Sequence, residues 1–248
     1  RGGPDLARQY EERLRLIELY EWADFHAYHV AEHHGTPLGM APSPGLFLAS
    51  VAQRTTTLRF GPLVYPLGLY HPLRLVEEIC MLDTLSDGRF ELGVGRGASP
   101  YEAAFFGVDP RTSADRFEEI LEILVKGIGS KTLDHKGRFF KLDNVPLALQ
   151  PVQRPHPPLW YGLTNVEGAP WAASLGVNVS VALPGSYTVV AGTSTCWPGL
   201  ALSNSSPTIF TNGASDGSIA LGSATQMETG SVLKKYSAWP PRLSASFS

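Results

Sequence analysis

A chain of 248 residues with 43% hydrophobic and 17% charged side chains can bury one sizeable core and has the make-up of an ordinary soluble globular domain. A formal net charge of -3 and a pI of about 6.2, with no Lys/Arg run, exclude a nucleic-acid or anionic-membrane partner and favour small or neutral ones. Two cysteines, Cys80 and Cys196, exclude a disulfide framework and point to a reducing cytoplasm.

The most apolar window, residues 177–202, is broken by Pro184 and Pro198 and filled with Ser, Thr and Gly, so no membrane span is expected. The chain opens at Arg1 and runs almost at once into a predicted helix over Leu6–Tyr20, in which Leu6, Tyr10, Leu14 and Ile17 recur at helical spacing; an element before it is expected to be missing. A short strand-like run from Phe25 to Ala31 follows, then a helix near Leu46–Arg54. A buried strand is predicted over Thr57–Val64, with Pro62 limiting its ladder.

Leu75, Val76, Ile79, Cys80 and Leu82 form a helical stripe from Pro72 to Leu85, with Asp87-Gly88 as the stop. Arg89–Val94 reads as a strand, a loop runs through Gly107, and Phe117, Ile120, Leu121 and Leu124 mark a helix over Thr112–Lys126. A Pro-rich passage leads to a strand at Leu159–Leu163, a helix to Leu175 and a strand at Val177–Val181. Strands separated by helices of this length predict repeated βα units, a parallel sheet and a (β/α)-barrel. In such a barrel the chemistry sits where strands end, which places Glu32-His33-His34, Leu63-Val64, Gly95-Arg96-Gly97 and Thr164-Asn165 on one face.

"HVAEHHG", residues 29–35, concentrates three histidines and a carboxylate. On a helix, His29-x-x-Glu32-His33 would be the H-x-x-E-H pattern of zinc peptidases. Tyr28 and Val30 favour a strand, however, and Gly35-Thr36-Pro37 stops any helix, so the strand-end reading leads, with no metal expected. There a histidine can exchange a proton near neutral pH, oriented by Glu32. "GVGRG", Gly93–Gly97, lets backbone approach a ligand, and Arg96 adds a fork suited to phosphate; "GLTNVEGA" offers Thr164, Asn165 and free amides at a helix start.

Taken together, "VAEHHG", "HPLRLVEEICMLDTLSDGRFELGVGRG", "FFGVDP" and "RPHPPLWYGLTNVEGAPWAASLGVNV" resemble the bacterial luciferase-like flavin-dependent monooxygenases over residues 11–181, most specifically from Leu82-Asp83 through Gly97. The resemblance implies an eight-stranded TIM barrel and makes His33, beside Glu32, the active-site acid/base. It implies that Leu63-Val64 packs against the flavin ring, often through a non-proline cis peptide, and that Arg96, flanked by Gly95 and Gly97, lies on the phosphate side with Thr164 and Asn165. Reduced FMN, supplied by a separate flavin reductase, would meet O2, form a C4a-peroxide and oxidise a small organic substrate. Two alternatives are a flavin- or deazaflavin-dependent oxidoreductase of the same fold without oxygenation, and an inactive truncated fragment. Relatives of this kind often pair through barrel helices, which implies a homodimer.

The family's first strand and its last two βα units are not found, which predicts about five of eight strands. His26 and His29 depart from the family pattern in the first strand present. Residues 185–248 carry five charged residues and thirteen serines, against eight serines in the preceding 184. The expectation is therefore a barrel portion over 1–181 and an atypical Ser/Gly-rich tail over 182–248, following a change of reading frame or splice near residue 180.

Overall fold

The computed structural model describes residues 5–97, 99–163 and 168–181, and beyond them only 209–211 and 230–234. In chain order the elements are α1 (Leu6–Trp22), β1 (Phe25–Val30), α2 (Pro44–Arg54), β2 (Arg59–Pro62), β3 (Tyr65–Pro66), α3 (Pro72–Leu85), β4 (Leu92–Gly95), α4 (Pro100–Phe105), α5 (Ser113–Gly127), β5 (Thr132–Lys136), β6 (Lys141–Pro146), β7 (Leu159–Leu163), α6 (Ala169–Leu175), β8 (Asn178–Val181), β9 (Ile209–Thr211) and β10 (Gly230–Lys234).

β1 pairs parallel with β2, and β3, β4, β7, β8 and β9 form a second parallel run. The two runs meet where Phe60 bridges Phe90 and the Glu91 amide donates to the Phe60 carbonyl at 2.8 Å. Counting β2 and β3 as one interrupted strand, β1, β2–β3, β4, β7 and β8 are five consecutive parallel barrel strands, as expected. Among the described residues the barrel is not closed. Two short tail segments join its edges, β9 parallel to β8 and β10 antiparallel to β1. The rest of the expected tail lies outside the described residues.

Periodicity explains what was legible. α3 buries Leu75, Val76, Ile79, Cys80 and Leu82, and α5 buries Phe117, Ile120, Leu121 and Leu124, as their stripes predict. The stop at Asp87-Gly88 holds: both adopt positive φ, and the Gly88 amide returns to the Asp83 carbonyl at 2.9 Å. On β1, Tyr28 and Val30 enter the main core while Ala27 packs with Trp160 and Leu63 on the other face, so the strand is covered on both sides.

Three expectations change. The strand predicted over 57–64 is split into β2 and β3 around Leu63-Val64. The strand predicted from Arg89 begins at Leu92, because the residues before it serve other contacts. The loop expected through Gly107 contains α4, and the antiparallel β5–β6 hairpin has no counterpart among the expected elements, since its first strand turns inward only Leu133 and His135, too little for an apolar alternation to show.

The β2–β4 junction requires glycine. A Cβ on Gly61 would stand 1.9 Å from the Glu91 carbonyl oxygen, and one on Gly93 would stand 2.1 Å from that of Pro62. Below this junction, the Arg89 guanidinium gathers loose helix ends. Nη1 donates to Thr55 Oγ1 and the Leu58 carbonyl, both at 2.8 Å, Nη2 to the carbonyls of Ala52 and Thr55, and Nε to the carbonyl of Ser86. The charge thus satisfies the ends of α2 and α3 together, where the helix dipoles favour a cation. Arg89→Met leaves these carbonyls without their donor and is expected to cost about 3–5 kcal/mol, read from urea denaturation midpoints at constant m. A loss under about 1 kcal/mol would contradict the assignment.

Candidate active site

Because β1, β2, β4 and β7 run parallel, their last residues meet at one end of the sheet. The segment Glu32-His33-His34 follows β1, Leu63-Val64 follows β2, and Arg96-Gly97 follows β4. Thr164 and Asn165, after β7, lie outside the described residues. The described parts of the predicted face therefore do gather at the strand ends. The Leu63 amide donates to the Val30 carbonyl at 2.8 Å, fixing the end of β2 against that of β1.

The Leu63-Val64 peptide is cis, the feature the resemblance implied at this pair. Val64 lies across two neighbouring strand ends, where a Cβ on Gly95 would come within 2.6 Å of its methyl group and one on Gly162 within 3.0 Å. Bare backbone at β4 and β7 is what admits it. The result is an apolar, half-buried surface made by Leu63 and Val64 at the strand mouth. Arg96 is exposed beside it, and Gly97 turns the chain with φ +82°.

His33 keeps 35% of its side-chain surface exposed, and its Nδ1 lies 3.4 Å from Glu102 Oε1. The same oxygen accepts the His34 amide at 3.0 Å. Glu102, not Glu32, is thus the carboxylate that addresses His33. It comes from α4, whose start carries the signal Ser99-x-x-Glu102; the Glu102 amide donates to Ser99 Oγ at 3.2 Å. That capping pattern was readable in the sequence. The turn of the Glu102 side chain away from its own helix toward the histidines was not.

Glu32 goes elsewhere. It is buried, its Oε1 lies 2.8 Å from His34 Nε2, and its Oε2 accepts from the Tyr70 hydroxyl at 2.5 Å. Burial pushes its carboxyl up to about 8; the Tyr70 hydrogen bond works against this, while the charges of Glu78 and Glu102 add to it. Burial also moves His34 below the ordinary imidazole value and Tyr70 above the ordinary phenol value. Tyr70 had no signature in the sequence, since it stands in a turn before α3.

His29, the residue that departs from the family pattern, is buried inside the sheet. Its Nε2 stands 3.2 Å from Glu91 Oε2, and its ring lies edge-on to Trp160. Burial opposes ionisation of Glu91, but His29 and Arg59 outweigh it and hold this carboxyl down at about 2. Arg59 in turn reaches Gln153, which ties Asp83 through its amide and side chain. Asp83, Arg89 and Glu91, in the most recognisable block of the sequence, are therefore scaffold. The zinc arrangement loses its helix, because His29 lies on a strand and meets Glu91 and Trp160, whereas His33 meets Glu102. Among the described residues, no group of three or more His, Cys, Asp or Glu is placed to hold a metal ion.

An open parallel βα sheet with Glu32, His33, His34 and Arg96 following its strands is the scaffold of a (β/α)-barrel fold. The chain belongs to the luciferase-like monooxygenase family, whose model matches residues 1–190. It is 54% identical over 184 residues to the uncharacterized protein y4wF of Sinorhizobium fredii, covering 74% of this chain and 54% of that one. It is 30% identical over 174 residues to the flavin-dependent trigonelline monooxygenase, oxygenase component, of Acinetobacter baylyi, covering 69% of this chain and 48% of that one. Among solved structures, the monooxygenase RslO1 of Streptomyces bottropensis superposes with a TM-score of 0.68 at 31% identity, over 71% of this chain and 54% of that one. The chain spans about half the length of these relatives.

The Glu32 environment has a measurable consequence. A folded-state value near 8 lies above the unfolded carboxyl value of about 4.3. The folded state then binds the proton more tightly, so this contribution to stability is complete below about pH 4.3 and is lost as pH rises through about 8. Glu32→Gln, neutral at every pH, is expected to lose less stability than the parent chain between those limits, as read from denaturation midpoints across the range. Parallel pH profiles for the two proteins would mean Glu32 is ionised when folded.

Proposed function

We propose that the chain carries the flavin half of a monooxygenase that uses reduced FMN and O2 to oxidise a small organic substrate, with His33 as acid/base. The observation that carries this reading is the partly exposed His33 imidazole, held beside Glu102 at the same end of the sheet as the apolar Leu63-Val64 surface. Family membership supports it, as does the relative named an oxygenase component, a name that fits a separate flavin reductase as partner.

The donor set fits a flavin phosphate ester. Leu63 and Val64 would lie against the ring system, while exposed Arg96, between Gly95 and Gly97, would take the phosphate together with Thr164 and Asn165. Reduced flavin supplies two electrons to O2, so that one oxygen atom enters the substrate and the other leaves as water. The residues bind, orient and hold protons. Glu102 near Nδ1 favours the His33 tautomer with its proton there, which leaves Nε2 free to accept a proton at the mouth. A deazaflavin on the same residues is the second reading, since Arg96 suits either phosphate.

Residues 1–181 would be the barrel portion and 182–248 a tail of different origin; the family match ending at residue 190 and the serine-rich, charge-poor composition support this division. Pairing of two copies through barrel helices is the assembly we propose. No helix among the described residues is long and apolar enough to cross a membrane, and we propose a cytoplasmic location.

An anaerobic titration of the full chain with reduced FMN, followed by admission of O2, tests the reading. Saturable binding is expected. His33→Ala is expected to keep that binding within about threefold while slowing reaction with O2 or substrate by about 10²-fold or more, the usual worth of a positioned acid/base. Turnover without O2 on a deazaflavin would replace the monooxygenase reading. Absence of binding by the folded chain would leave family membership as ancestry alone.

A further inference from the structure

His34, Glu32 and Tyr70 form a hydrogen-bonded chain that the proposed reaction does not otherwise use. Its inner end is anchored: Tyr70 lies edge-on to Tyr65 at 5.2 Å, and the Tyr65 hydroxyl donates to Glu78 Oε1 at 2.8 Å. Its middle is the Glu32 carboxyl group, whose two oxygens are each engaged, one by His34 and one by Tyr70. Its outer end, His34, keeps 15% of its side chain exposed and rests edge-on against Phe106 at 4.6 Å. The His34 amide shares Glu102 Oε1 with His33, so the chain ends beside the proposed acid/base.

The charges around this carboxyl group decide what it can store. Glu78 from α3 and Glu102 from α4 both oppose a negative charge on Glu32, and Arg74 acts on Tyr70 from α3. Glu32 also faces His34 directly, with His33 acting on His34 in turn. A buried carboxyl group between a phenol, an imidazole and two like-charged neighbours is held in its neutral form, and a neutral carboxyl group is a donor.

We propose that His34, Glu32 and Tyr70 are a proton relay that delivers one proton to the mouth of the flavin site and takes one back, with Glu32 as the store and His34 as the outlet. In the resting state Glu32 Oε1–H donates to His34 Nε2, so the imidazole carries its own proton on Nδ1. When Nδ1–H breaks toward a base at the mouth, Nε2–H forms and Oε1–H breaks. Its electron pair stays on the carboxylate, which the Tyr70 hydroxyl stabilises. Protonation from water reverses the sequence, and nothing is oxidised or reduced. Tyr70 and Glu32 act through His34 and are positioning and storage groups. The proposal rests on the flavin reading for what the proton serves.

Two measurements on the full chain test it separately. In an infrared titration, with Glu32→Gln assigning the band, the carboxylic-acid C=O stretch of Glu32 is expected to persist at neutral pH and vanish with a midpoint near 8. Tyr70→Phe keeps the ring but removes the donor to the anion, and is expected to move that midpoint upward. In the second measurement, the rate at which bound reduced FMN reacts with O2 is expected to change with the same midpoint and to follow it in Tyr70→Phe. Should Tyr70→Phe fail to fold, His34→Gln, at the outer end, is expected to remove the pH step from that rate. A Glu32 already ionised at neutral pH overturns the relay, as does a rate profile that ignores a shifted Glu32 midpoint. Failure to bind reduced FMN at all would instead overturn the flavin reading, with the infrared titration still deciding whether Glu32 stores the proton.

Discussion

Close backbone approach between β2 and β4 is the constraint from which the mouth of this sheet follows. At Gly61 and Gly93 each strand lies where a Cβ would strike the carbonyl of the other, so any side chain there would force the strands apart. With the strands together, the residues after β2 cross the ends of β4 and β7, where Gly95 and Gly162 leave room for Val64. The apolar surface proposed for a flavin ring thus depends on four positions without side chains. Arg89 holds the opposite end by binding the carbonyls that two helices leave loose.

Charge inside this protein is sorted by partner. Glu91 and Glu32 are both buried carboxyl groups near a histidine, yet their ionisation moves in opposite directions. Arg59 and His29 compensate Glu91, whereas Glu32 meets a phenol, a histidine and two further acidic groups. The first arrangement is a fixed ion cluster that helps order the inside of the sheet. The second holds a proton close to the surface where the reaction is proposed to occur, and such displaced ionisation is the common mark of functional sites.

Apolar repeat, turn chemistry and length determined the alternation of helices and strands, because a stripe on α3 or α5 has to be buried and parallel strands need helices over them. The strand-end positions of Glu32-His33-His34, Leu63-Val64 and Arg96 followed from that alternation, since in a parallel sheet every strand ends on the same side. The start of α4 at Ser99-x-x-Glu102 fell in the stretch expected as a loop through Gly107, and the structure places a helix there. The tertiary structure alone decided which carboxyl group serves which histidine. Glu32 is adjacent to His33 in the chain, but successive side chains at a strand end diverge, so Glu32 turns inward to His34 and Tyr70 while Glu102 arrives from 68 residues beyond His34. Adjacency in sequence fixes backbone distance, whereas hydrogen-bond partnership depends on where packing allows a side chain to point.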